Sequence, residues 1–102
     1  MPETPIVCNM DALGPDERAQ HEQVTAAWQS AIQETVEQPN GYAFRFEADR
    51  DLLMCLAEFV SRERLCCPFL RFELVLESDG TALWLRLLGA AEVKAFIQTK
   101  LP

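Results

Sequence analysis

Basic residues are scarce in this chain, and long apolar runs are missing. Lys and Arg total 9 against 16 Asp and Glu, a formal charge of -7, and the cations form no local cluster. Such a surface repels the phosphate backbone of nucleic acid and anionic membranes, so neither is expected as a partner. No stretch approaches the roughly 20 apolar residues that span a bilayer. The opening "MPETPIVCNM" also lacks the basic segment and apolar run of an exported chain, so the expected location is cytoplasmic. One histidine limits any His-dependent chemistry. The chain has neither a glycine-rich phosphate loop nor a serine-centred elbow, and no Cys-x-x-Cys spacing of the thioredoxin or structural zinc type. Internal repeats, low-complexity tracts and linkers are missing too.

What is present has the balance of one globular domain: 102 residues, 49% apolar and 25% charged. The reading is a single α+β domain over 1–102, with residues 1–13 as an N-terminal arm. "GPDERAQHEQVTAAWQSAIQETVEQ" opens with Gly14 and Pro15, carries Asp16 and Glu17 in its first turn, and repeats apolar residues at Val24, Ala27, Trp28, Ala31, Ile32 and Val36. This predicts one long helix, ended by "PNG" at Pro39 to Gly41. "YAFRFE" alternates Tyr42, Phe44 and Phe46 with polar or small residues, the pattern of a strand. A second helix is expected to start from an Asp49 N-cap, bury Leu52, Leu53, Leu56, Phe59 and Val60, and stop at or just before the cysteine pair, since Pro68 disfavours helical geometry at Cys67. Asp79-Gly80 reads as a two-residue hairpin turn. It pairs Leu76 with Leu83, Leu74 with Leu85 and Phe72 with Leu87 on one face, and Val75 with Trp84 and Glu73 with Arg86 on the other. A closing helix puts Val93, Phe96, Ile97 and Leu101 inward. The order α-β-α-β-β-α implies a two-layer sandwich: a small, mostly antiparallel three-stranded sheet with helices on one face. The Val75 and Trp84 patch on the outer sheet face is a candidate homodimer interface.

Chemistry concentrates in "SRERLCCPFLRF", where Cys66 and Cys67 are adjacent. Their alpha carbons are about 3.8 Å apart, below the roughly 4.4 Å that a relaxed disulfide needs, so a bridge between them is strained. A helix C-terminus disfavours a thiolate, and Arg62, Arg64 and Arg71 are the cations that could offset it. A soft metal or metalloid ion removes the problem, because coordination deprotonates the sulfur. Cys8 is the candidate third ligand. His21, Glu63, Arg64 and Met10 are possible accessories: His21 lies almost two turns before Trp28, and Glu63 lies one turn before the pair. Hg(II), Cu(I) or a trivalent metalloid ranks above structural zinc. Cys55 is about 16 Å from Cys66 along the helix and is assigned to the core.

"CNMDAL", "GYAFRF", "LAEFVSRERLCCPFLRFEL", "LWLRLLG" and "VKAFI", with "ER" in the first helix, resemble an uncharacterised family of small bacterial proteins with a Glu-Arg-x-Cys-Cys-Pro-Phe core. Here that core is Glu63, Arg64, Cys66, Cys67, Pro68 and Phe69, and Cys8 matches a cysteine near the family's N-terminus. The resemblance brings no activity with it. The adjacent thiols are also similar to the mercury-delivering pair of mercuric reductases. Three functions are weighed: a metal-binding protein with vicinal cysteines, a thiol-dependent enzyme or redox protein using Cys66 or Cys67, and a structural or interaction module with the cysteines as core. The first leads, and an enzyme is not the favoured reading.

Overall fold

The computed structural model describes residues 9–100. A short 3-10 turn, Met10–Ala12, leads into α1 (Pro15–Ser30). The chain continues through β1 (Glu34–Gln38), β2 (Gly41–Phe46), α2 (Arg50–Cys66), β3 (Arg71–Leu76), β4 (Leu83–Leu88) and α3 (Ala91–Lys100). The strands form one antiparallel sheet in the order β1-β2-β4-β3. The α+β class and the succession of helices and strands follow the sequence reading. The strand count does not.

Among the described residues the sheet has four strands, not three, because the expected long first helix ends at Ser30. Its last eight expected residues hold a connector and β1. "PNG" is therefore a hairpin turn and not the expected helix stop: Gln38 pairs with Gly41 across Pro39 and Asn40, and proline presets the first turn residue. Val36, assigned to the inner helix stripe, instead sits opposite Ala43 on β1. Residue 41 must be glycine here. A Cβ would collide with the carbonyl oxygen of Leu87 on the neighbouring strand.

Local signals at the second helix hold. Asp49 caps it, its carboxylate accepting the Leu52 N–H at 3.0 Å, and Cys67 is the C-cap residue. The β3–β4 register matches the sequence reading at all five expected pairs, but the turn differs. Gly80 N–H donates to the Glu77 carbonyl at 2.9 Å, and Glu77 N–H donates to Ala82 at 3.0 Å, which makes a four-residue loop. Gly80 takes the left-handed φ of 73°, while Asp79 keeps a negative φ. The Thr81 N–H and hydroxyl both donate to the Asp79 carboxylate and hold its pKa below the usual value. The register survives because lengthening the loop by one residue on each side leaves the alternation intact.

All three helices pack on one sheet face. Trp28 of α1, Leu56 and Phe59 of α2, and Val93 and Ile97 of α3 close over Tyr42, Phe44, Phe46, Leu83, Leu85 and Leu87. Trp28 contacts Phe59, Phe44 and Phe46 with ring centroids 5.0, 5.6 and 6.2 Å apart. On the opposite face Val75 and Trp84 are paired and half-buried. The expected inner face of the hairpin is not buried throughout. Leu83, Leu85 and Leu87 on β4 are buried, while Leu74 and Leu76 on the edge strand β3 remain exposed. Among the described residues, no helix is long and apolar enough to cross a membrane. Leu101, expected inward, lies outside the described residues.

Candidate thiol site

Pro68 ends α2 where the sequence places the stop, so Cys66 closes the last helical turn and Cys67 caps it. The Cys67 N–H donates to the Glu63 carbonyl at 2.7 Å, and its own carbonyl accepts from Leu70 N–H at 3.1 Å. This tight corner buries both thiol residues, at 0% and 1% exposure. They pack with Leu13, beside the partly buried Phe69, Leu70 and Phe96. The Phe69 and Phe96 rings meet edge-to-face at 5.0 Å.

One wall of this cluster is polar. The Cys67 thiol donates to Glu63 Oε1 at 3.3 Å, and the same oxygen lies 3.6 Å from His21 Nε2. That second distance suits an ion pair and is too long for a good hydrogen bond. His21 is 5% exposed and stacks on Phe59 at 5.3 Å with rings 4° from parallel. Among the described residues, neither ring nitrogen has a hydrogen-bond partner. The helix period that puts His21 on the side of Trp28 thus brings it to α2, where the i, i+4 relation between Glu63 and Cys67 completes a Cys67–Glu63–His21 line. The sequence placed Glu63 beside Cys67 but not His21 beside Glu63, since the meeting of α1 and α2 is a tertiary fact.

Other candidates divide. Arg62 pairs with Glu58 at 2.9 Å and also donates to Gln20, Arg71 lies 3.4 Å from Glu73, and Arg64 is exposed. Met10 belongs to the 3-10 turn by its backbone. Cys8 lies outside the described residues, but its neighbour does not: Asn9 N–H donates to the Cys66 carbonyl at 2.7 Å. That bond satisfies one of the last carbonyls of α2 and docks the start of the described chain on the pair. Among the described residues, no three His, Cys, Asp or Glu side chains are gathered so as to hold a metal ion.

Cys55 is half-buried, more exposed than a core residue, with its thiol 3.7 Å from the Val24 carbonyl. It borders a shallow open cleft with Ala27, Ala31, Leu52 and carboxylates from Glu47, Asp49 and Asp51. Burial, helped by the nearby Glu58 charge, pushes its pKa up. Iodoacetamide at mildly alkaline pH should therefore alkylate Cys55 several-fold more slowly than an unhindered thiol, because the thiolate is the reacting form. A peptide-mapped rate equal to that of free cysteine would contradict this.

Comparisons with protein-family models, curated proteins and solved structures give no match.

Proposed function

We propose that this chain binds a soft metal or metalloid ion through Cys66 and Cys67, with Cys8 as a third ligand, in the reducing cytoplasm. The observation that carries the reading is the Asn9 hydrogen bond to Cys66. It fixes the residue after Cys8 on the backbone of the pair, which supports Cys8 as the third ligand. The surroundings support a soft guest. An apolar shell of Leu13, Phe69, Leu70 and Phe96 offers nothing to a hydrated hard cation, whereas thiolates select soft ions. Glu63 fits the part of a proton acceptor, its carboxylate placed to take the Cys67 thiol proton that coordination displaces. His21 stands behind Glu63 in turn. The likeness to the Glu-Arg-x-Cys-Cys-Pro-Phe family belongs to the same proposal.

The thiol-enzyme reading is less well supported. The pair is closed off from solvent, which keeps a substrate from the sulfurs. Burial does favour a second reading, in which the cysteines are simply core.

One experiment separates the two. Reduced protein is titrated with Hg(II), Cu(I) and trivalent arsenic, following the ligand-to-metal absorption in the ultraviolet, alongside the Cys66→Ser/Cys67→Ser variant. The expected result is saturation at one equivalent by wild type and none by a variant that remains folded by circular dichroism. No binding by wild type, or equal binding by the double variant, overturns the proposal and leaves the core reading.

A further inference from the structure

Among the described residues, the two edge strands of the sheet are not alike. β1, "ETVEQ", carries exposed Glu34 and Glu37, the charges that discourage strand pairing. β3 instead exposes Leu74 and Leu76, at 36% and 54%. The hydrogen-bond phase tells which backbone groups face outward. Glu77 N–H donates to Ala82 and Gly89 N–H donates to Asn40. In an antiparallel ladder bonded pairs alternate with unbonded ones. Given the register, both bonds therefore turn Arg71, Glu73 and Val75 toward β4 and turn the backbone N–H and C=O groups of Phe72, Leu74 and Leu76 off the edge.

We propose that β3 is a homodimer interface: two copies pair edge to edge and antiparallel about a two-fold axis at Leu74, joining two sheets into one of eight strands. Residues paired across such an axis must share a sheet face, which leaves three central registers. One centred on Glu73 sets that carboxylate against itself, and one centred on Val75 sets Glu73 against the partner's Glu77. Centring on Leu74 uses all three outward residues. Leu74 meets its own copy and Phe72 meets the partner's Leu76 on the helix face, while Arg71 stands opposite the partner's Glu77 on the outer face, twice by symmetry. This register alone covers both exposed leucines with apolar partners and places opposite charges together. A six-residue strand on each side falls below the roughly 1,200 Å² of a standard interface, so association belongs in the micromolar range or weaker.

Sedimentation velocity from low micromolar to millimolar protein tests this, with amide hydrogen exchange at the same concentrations. The expected result is a dimer in which Leu74 and Leu76 amides gain protection with concentration while Glu73 and Val75 stay protected throughout. Leu74→Lys should abolish it, and Trp84→Ala should leave it intact. Arg71→Glu and Glu77→Arg should each weaken it at least about fivefold, each pair counting twice, and together restore it. A monomer at millimolar concentration, or a dimer broken by Trp84→Ala and not by Leu74→Lys, overturns the proposal. So does a dimer that appears only after deletion of residues 1–8, which would make that segment the occupant of the edge.

Discussion

Truncating Phe44 to alanine is expected to lower unfolding free energy by about 3–5 kcal/mol, from a total that for a small domain is about 5–15 kcal/mol. The variant should be largely unfolded at physiological temperature if the protein starts near the lower bound. Phe44 is wholly buried on the interior strand β2. It touches the Trp28 ring and belongs to the cluster where α1, α2 and α3 converge on the sheet. Backbone collapse cannot refill its volume easily, because β2 is bonded to a strand on each side, so most of the cavity remains. The measurement is the urea midpoint followed by tryptophan fluorescence, with Met54→Ala as reference. Met54 is 64% exposed, and its loss should cost no more than about 0.5 kcal/mol. Midpoints that place the two variants within about 1 kcal/mol of each other would mean that the core is not centred on β2.

The contrast between Phe44 and Val36 indicates which parts of this fold a sequence reveals. Phe44 sits in a run whose alternation has a clear period, bounded by glycine and an acidic turn, and local pattern and tertiary position agree there. Val36 continues the spacing of the first helix almost as well as it starts a strand. What decides is the partner strand across Pro39 and Asn40, which lies outside any helical window. The Asp79 turn is a milder case: the register followed from alternation, whereas the choice between a two-residue and a four-residue loop depended on the Thr81 bonds to Asp79. At the thiol site, chain spacing put Glu63 beside Cys67 because one helix carries both. The approach of His21 could be expected only as a helix face, since its neighbour lies on another helix. The exposure of Leu74 and Leu76 was invisible because alternation identifies the apolar face of a strand and not whether a helix reaches far enough to cover it.

Single serine substitutions should divide the thiol site into structure and binding. For stability, a hydroxyl at Cys67 can donate to Glu63 as the thiol does, and such a charge-assisted bond contributes about 1.5–3 kcal/mol, so Cys67→Ser is expected to stay folded and to melt close to wild type. For the proposed ion either serine, at Cys66 or at Cys67, removes one thiolate, because a hydroxyl is a hard donor that stays protonated. Each should weaken binding by more than about a hundredfold, beyond the 10–100-fold typical of partners behind the ligands. Cys8→Ser then discriminates among guests. A trivalent metalloid, which takes three thiolates, should lose affinity as strongly as in the other two variants, while a two-coordinate ion such as Hg(II) should lose little. Isothermal titration with each ion reads these differences directly. Affinities within tenfold of wild type for Cys66→Ser or Cys67→Ser would remove that sulfur from the ligand set, and full trivalent-metalloid affinity in Cys8→Ser would reduce the proposed site to the adjacent pair.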